Sequence, residues 1–574
     1  MPTRRKFIQQ AAAAATATAL LGKTALGSPL AKSKGRRPNI ILILADDMGF
    51  SDIGCFGSEI DTPNLDRLAA MGMRSSQWYN NPRCCPSRAS IMTGLYPHQA
   101  GMGMMVSDAG RYPYSAYAGD LSIQTSTIPE ALKKAGYQTA MVGKWHLTSP
   151  DPQGDKHNWP LQRGFDKYWG IIAGASVYWH PYQLVDGNEP LPQVEDPRFY
   201  LTDGFSDHAV GFLTEMSRSK TPYFLYMAYN ACHWPIQAPE ETIAKYATRY
   251  KDGWDRLREE RHAKQAKIGL LDSKWAMSAR DPRVPPWQEA EDKEWEMRRM
   301  AVYAAMIEHL DRGVGRIMKA VEDAGQMENT LFLFMSDNGG NAEELAARKQ
   351  PDAHGLVRGN MPDVMPGTAN TFQSIGIPWG NCANTPFRLY KHYAHEGGIC
   401  SPFIACWPTV IQANVVNTAV GHETDLMPTF LEVAGTTYPA SKNGAPLPPL
   451  VGESMVPVFE GKTRKRGPIY WEHEGNKAVR DGNWKLVSRY PEGWELYDLE
   501  ADRTELHDLA AREPERVKQM SAMYFEWAKK VGVQPWPMPQ TPPAEASGAM
   551  EVPPYLRKDQ KQRPQPKSPN GSPD

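Results

Sequence analysis

Four short, strongly apolar runs end on polar side chains, and this pattern constrains the chain more than any other. They are PNIILILADD (38–47), YQTAMVGKWH (137–146), PYFLYMAYNACHWP (222–235) and NTLFLFMSDNGG (329–340). Runs this apolar suit strands buried on both faces, as in a largely parallel sheet. Helical patterns lie between them. TPNLDRLAAMG (62–72) and TIPEALKKAG (127–136) each open at a threonine cap with a nearby proline and stop at glycine. A helical period runs through 297–325 on Met300, Tyr303, Ala304, Ile307, Leu310, Val314, Ile317 and Val321. Strand and helix in alternation predict an open α/β sheet, in which ligands sit beyond the carboxyl ends of the strands. All four polar clusters fall there.

A chain of 574 residues exceeds one compact core, so two domains are expected. Proline and glycine accumulate around 440–466 and mark a boundary. Beyond it, aromatic runs joined by DGN and PEG turns, with a helix near 513–530, predict a small α+β domain over 466–532. Residues 240–296, charged helical sequence together with SARDPRVPPW, interrupt the alternation and read as a surface excursion. Eleven prolines in 535–574 predict a disordered or surface-draped tail.

The amino terminus carries Arg4-Arg5-Lys6, a short Ala/Thr-rich stretch and Ala25-Leu26-Gly27 before Ser28. That is the form of a twin-arginine export signal over residues 1–27, so the Tat translocase is an expected partner and the periplasm or exterior the expected location. The stretch is too short and polar to span a bilayer, and no stable membrane insertion is expected. Sixty-four Lys and Arg nearly cancel 65 Asp and Glu, without a basic run, which argues against nucleic acid as a partner. The seven cysteines form no CxxC pair, so neither a disulfide scaffold nor a thiolate zinc site is expected. A bridge between neighbours Cys84 and Cys85 would be strained.

Asp46, Asp47, Asp337 and Asn338 place four oxygen-bearing side chains at two strand ends. Oxygen-only donors suit a hard cation, Ca²⁺ or Mg²⁺. Adjacent buried carboxylates would repel one another unless a cation or proton neutralised them. In RCCPSRAS (83–90), Pro86 and Ser87 fit a helix start, which puts Cys84 just before the helix N-terminus, where an anion is favoured. Arg88, one turn in, is in reach of that anion.

Cys84-Cys85-Pro86-Ser87-Arg88 matches C-x-P-S-R, and with PSRASIMTGLYPHQAGM it resembles the signature of the type I sulfatases. The resemblance extends from about residue 37 to about 530, and NTPFRLYKHYAHEGG and ARDPRVPPW are similar to bacterial arylsulfatases. It implies an alkaline-phosphatase-like fold over 37–450, a large, mostly parallel mixed sheet sandwiched by helices, followed by the small C-terminal α+β domain. It implies that Cys84 is oxidised to Cα-formylglycine by a maturating enzyme, Cys85 holding the variable position. Asp46, Asp47, Asp337, Asn338 and the modified Cys84 would bind one Ca²⁺. Arg88, Lys144 and Lys391 would hold the sulfate, and His146 and His233 would move protons. The implied substrate is an aryl or carbohydrate sulfate ester. A phosphonate monoester hydrolase or phosphodiesterase with the same nucleophile, or a non-catalytic binder of sulfated glycans, is the alternative.

Overall fold

The computed structural model describes residues 37–540, apart from 349 and 353. The twin-arginine segment and most of the proline-rich tail lie outside the described residues.

The apolar runs form the centre of a ten-stranded sheet. Its strands are β1 (Asn39–Ala45), β2 (Met73–Ser75), β3 (Gln138–Lys144), β4 (Lys167–Ile171), β5 (Leu184–Asp186), β6 (Glu189–Pro190), β7 (Tyr223–Ala228), β8 (Thr330–Ser336), β9 (Phe403–Cys406) and β10 (Val415–Asn417). They lie in the order β10-β2-β9-β8-β1-β7-β3-β4-β5-β6. The four strands read from the sequence are the contiguous parallel core β8-β1-β7-β3, with Ala45 opposite Ser336 and Ala228 opposite both Leu44 and Gly143. Their carboxyl ends therefore open side by side. Antiparallel β9, β5 and β6 make the sheet mixed.

The helices that frame the sheet and the site are α1 (Pro63–Ala70), α2 (Cys84–Thr93), α3 (Ile128–Lys134), α4 (Leu201–Met216), α5 (Gly253–Lys267), α6 (Lys293–Asp323), α7 (Leu426–Val433) and α8 (Pro514–Val531). Strand pleating splits β1 between two cores, one on each face of the sheet. Ile41, Ile43 and Ala45 pack with α1, α4 and α6, whereas Ile40, Leu42 and Leu44 pack with α2, α3 and α7. Helix α3 begins with a reciprocal capping box between Thr127 and Glu130.

Strands β11 (Ile469–His473), β12 (Asn476–Asp481), β13 (Trp484–Ser488) and β14 (Glu495–Asp498) form an antiparallel meander. One of its faces packs on α8 through Val479, Leu486, Leu496, Met520, Tyr524 and Trp527. The other, through Trp471, Ala478, Val487 and Tyr497, continues the core of the main sheet.

The structure departs from the sequence reading in two places. The 240–296 segment is not confined to the surface: Trp254 and Trp287 pack on each other and on Trp379, and Arg261, only 1% exposed, pairs with Asp52 and Glu59. Burial here proceeds through specific ion pairs, which leave no apolar period to read. Second, α2 starts at Cys84 rather than after it, with Arg83 as its N-cap. Pro86 is tolerated because the N–H groups of a first turn have no intrahelical partner in any case. The described start of the tail lies against the body of the protein, with Met538 buried against Tyr112 and Tyr117.

Candidate active site

The site forms where β8, β1, β7 and β3 end. Asp46 and Asp47 follow β1 directly, and Asp47 adopts a left-handed backbone (φ 63°) that turns its carboxylate back over the sheet. Asp337 follows β8, and its N–H bonds Ala45 O at 3.1 Å. Lys144 is the last residue of β3, and His146 lies two residues on, also left-handed at φ 57°. His233 leaves β7 through a turn in which Cys232 N bonds Asp46 O at 2.8 Å.

Helix α2 is buried along its whole length because its polar side chains are satisfied internally. Ser87 donates to Asn81 O (3.0 Å), Asn81 to Ser90 Oγ (3.0 Å) and Thr93 to Ala89 O (2.7 Å). Its N-terminus aims Cys84 Sγ at Asp46 Oδ1 (3.6 Å) and Asp47 Oδ1 (3.8 Å). Arg88 does not turn outward: it grips Asp337 Oδ2 through Nη2 (2.8 Å) and Nε (3.1 Å) and Lys144 O through Nη1 (2.9 Å). Lys144 Nζ reaches Asp46 Oδ2 at 2.6 Å and Lys391 Nζ reaches Asp47 Oδ2 at 2.7 Å. His233 Nε2 stands 3.5 Å from that same oxygen.

Lys391 comes from a loop distant in sequence, which docks because glycines admit it. A Cβ on Gly339 would lie 1.9 Å from Gly397 O, and that approach allows Gly339 N to bond Gly398 O and Lys391 N to bond Gly340 O. His146 depends on another glycine: a Cβ on Gly174 would lie 2.3 Å from its Nε2.

Cys84, His146, His233 and Lys391 line a cavity of about 550 Å³, while Asp46, Asp47, Arg88, Lys144, Asp337 and Asn338 lie fully buried beneath it. Burial pushes the Cys84 thiol well up, so an unmodified cysteine here is a poor thiolate. Burial, with the charges of Lys144 and Arg88, drives His146 well down, and burial brings His233 to about 3, so both imidazoles are neutral at ordinary pH. Burial and the Asp46 charge raise Asp337 to about 6 despite Arg88. Burial alone would raise Asp47 as well, but Lys391, His233 and Lys144 hold it below the usual carboxylate range.

The donor set fits a hard cation. Asp46, Asp47, Cys84 and His233 bring ligand atoms within 4.8 Å of one another. Asp337 bonds Asp47 N through Oδ1 (3.2 Å), and Asn338 donates to Asp47 Oδ1 (2.7 Å). The buried Asn338 Oδ1 has no hydrogen-bond partner among the described residues. An oxygen acceptor left bare beside three carboxylates is suited to a cation with oxygen preference.

All ten residues singled out from the sequence thus meet in one place. The sequence reading missed four neighbours. Asn341 donates to Asp47 Oδ2 (2.8 Å), and Arg83 and Trp234 both bond Glu343 (2.5 and 2.7 Å), so the wall beside the carboxylates comes from NAE (341–343). The only signal was polar residues just past the glycines of DNGG. Among the described residues all seven cysteines are free, Cys84 and Cys85 included, and no helix is long and apolar enough to cross a membrane.

Comparison with known proteins agrees with this geometry. The Sulfatase family model matches residues 38–436, and the model for the C-terminal region of N-sulphoglucosamine sulphohydrolase matches 387–529. An arylsulfatase of Klebsiella aerogenes is 32% identical over 449 residues, covering 75% of this chain and 94% of that protein. An uncharacterized sulfatase of Schizosaccharomyces pombe is 32% identical over 535 residues, 88% of this chain and 95% of its own. Among solved structures, Ps i-CgsB in complex with k-i-k-neocarrahexaose superposes with a TM-score of 0.62 at 26% identity, covering 86% of this chain and 93% of that one. The phosphonate monoester hydrolase of Agrobacterium radiobacter shares the fold, with a TM-score of 0.52 at 19% identity over 86% and 95%. The architecture is the alkaline-phosphatase-like one, and the chain belongs to the sulfatase family, enzymes that hydrolyse sulfate esters.

Proposed function

We propose that this chain hydrolyses sulfate esters with Cys84 converted to Cα-formylglycine and one Ca²⁺ held by Asp46, Asp47, Asp337, Asn338 and the modified residue 84. The observation that carries the reading is the convergence of Cys84 Sγ on Asp46 and Asp47 at 3.6 and 3.8 Å, at the floor of a cavity lined by Lys391, His146 and His233. The thiol sulfur stands where the oxygen of the oxidised side chain would be. A hydrated formylglycine supplies a hydroxyl to attack sulfur and a second whose proton loss expels sulfate, and Ca²⁺ supplies charge that favours both the attack and the binding of the ester.

The chain's own residues do the rest. A sulfate ester repels an anionic nucleophile, and Lys144 and Lys391 bring positive charge to meet the ester oxygens. Arg88 fixes Asp337, the carboxylate we assign to take the proton of the attacking hydroxyl. Neutral His146, its Nδ1 buried without a partner, is placed to take a proton at the cavity floor. His233, or Lys391, is placed to protonate the departing alcohol.

The substrate we assign is an aryl or carbohydrate sulfate, the protein being exported through the Tat route to the periplasm or exterior after cytoplasmic modification by a maturating enzyme. Turnover of 4-nitrophenyl sulfate against the matching phenylphosphonate, with and without Ca²⁺, tests the reading. Preference for the sulfate ester supports it. Preference for the phosphonate makes the chain a phosphonate hydrolase, and binding without turnover makes it a sulfated-glycan binder.

A further inference from the structure

The wall of the cavity is built around one carboxylate. Trp234 lines it next to His233, its ring 4.4 Å from the imidazole and 5.5 Å from Phe372, tilted 55° to the latter. The indole Nε1 donates to Glu343 Oε2 at 2.7 Å, and Arg83 Nη1 meets Glu343 Oε1 at 2.5 Å. Asn341 ties this assembly to the floor: its Oδ1 accepts from Glu343 N (2.6 Å) and its Nδ2 donates to Asp47 Oδ2 (2.8 Å). One carboxylate thereby spends both its oxygens on two side chains that face the cavity. Arg83 is 15% exposed and Glu343 33%, so the pair sits at the wall rather than in sealed core.

We propose that Glu343 is a positioning residue for the leaving group, holding Trp234 as the flat wall and Arg83 as the charged edge of a subsite that takes a ring. The inference rests on the reading that this site hydrolyses sulfate esters. An indole fixed through its N–H presents a face against which an aromatic ring, or the apolar face of a sugar, can stack. Without Glu343 the indole loses its acceptor and Arg83 loses the partner that holds it at the wall, leaving Glu474 as its acidic neighbour, and both are free to leave the wall. Inorganic sulfate, which has no ring, reports on the floor alone.

The variants are Glu343→Ala, Glu343→Gln, Trp234→Ala and Trp234→Phe. Each is assayed for KM and kcat with 4-nitrophenyl sulfate and, on a Cys84→Ala background, for Kd by calorimetry with that ester and with inorganic sulfate. Glu343→Ala and Trp234→Ala should each weaken KM and Kd for the aryl ester about tenfold, the scale of one aromatic contact. Kd for inorganic sulfate and kcat should stay within about twofold. Trp234→Phe should recover most of the loss, and Glu343→Gln, which still accepts from the indole but cannot pair with Arg83, should fall between. Unchanged affinity for the aryl ester in Glu343→Ala, or an equal loss for inorganic sulfate, overturns the proposal. A wild-type protein that does not hydrolyse the ester at all overturns the functional reading instead, and the calorimetry still decides the role of Glu343.

Discussion

Two clusters of buried charge lie about the main sheet, and they teach different things. At the strand ends, Asp46, Asp47 and Asp337 face Arg88, Lys144 and Lys391. Where the meander meets the main sheet, Glu396 and Glu505 face Lys485, Arg503 and, through Tyr79, Arg480. Both are nearly inaccessible to solvent. The first lies under a cavity and leaves Asn338 Oδ1 bare; the second is sealed between two layers and its lysine is shared by two carboxylates at 2.8 and 2.7 Å. Buried charge alone therefore does not mark a reacting centre. Charge beneath an opening, with cavity access for a ligand, is the arrangement we propose as the reacting centre.

The comparison can be broken by substitution, and the largest effect belongs to the strand ends. Cys84→Ala should lower turnover by a factor on the order of 10⁴ to 10⁶, the range found when a nucleophile is removed from a constellation that acts as a unit. Steady-state kinetics with 4-nitrophenyl sulfate measures it, and turnover within tenfold of wild type would refute the role. Asp47→Asn should cost about 10³-fold by withdrawing a ligand and the partner of Lys391. Its melting temperature should change little, because cavity water can solvate the released ammonium. EGTA should reproduce that loss in the wild type, and added Ca²⁺ should restore it where Zn²⁺ does not.

At the sealed cluster the same kind of change should act on stability instead. Lys485→Met leaves Glu396 and Glu505 buried without their shared cation, and should cost about 3–5 kcal/mol in urea unfolding. Turnover per folded molecule should stay near wild type. A stability loss in Asp47→Asn as large as in Lys485→Met would erase the distinction. The smallest change sharpens it: Gly174→Ala displaces His146 and should lower kcat by up to about 100-fold without a shift in urea midpoint.

Much of the site was legible because chemistry and topology coincide. Four apolar runs announced four parallel strands, and polar residues at their ends had to converge once those strands were neighbours. Lys391 was not legible on these grounds: it arrives on a loop whose docking depends on glycine meeting glycine, and only the family motif pointed to it. Glu343 and Asn341 were missed because their partners, Trp234, Arg83 and Asp47, lie far away in sequence. The burial of helix α5 was missed because charged residues with specific partners, such as Arg261 with Asp52 and Glu59, cover a surface that no apolar stripe advertises.

We propose that the reacting group at the floor of the cavity is manufactured from Cys84. Burial pushes the thiol up, so a cysteine left as synthesised would be a weak nucleophile at this position. The most direct measurement is a mass spectrum of the peptide spanning residues 84–88 from active protein made in its native host. An aldehyde in place of the Cys84 thiol, with Cys85 unchanged, is the result this account predicts. Fully active protein carrying an unmodified Cys84 would contradict it.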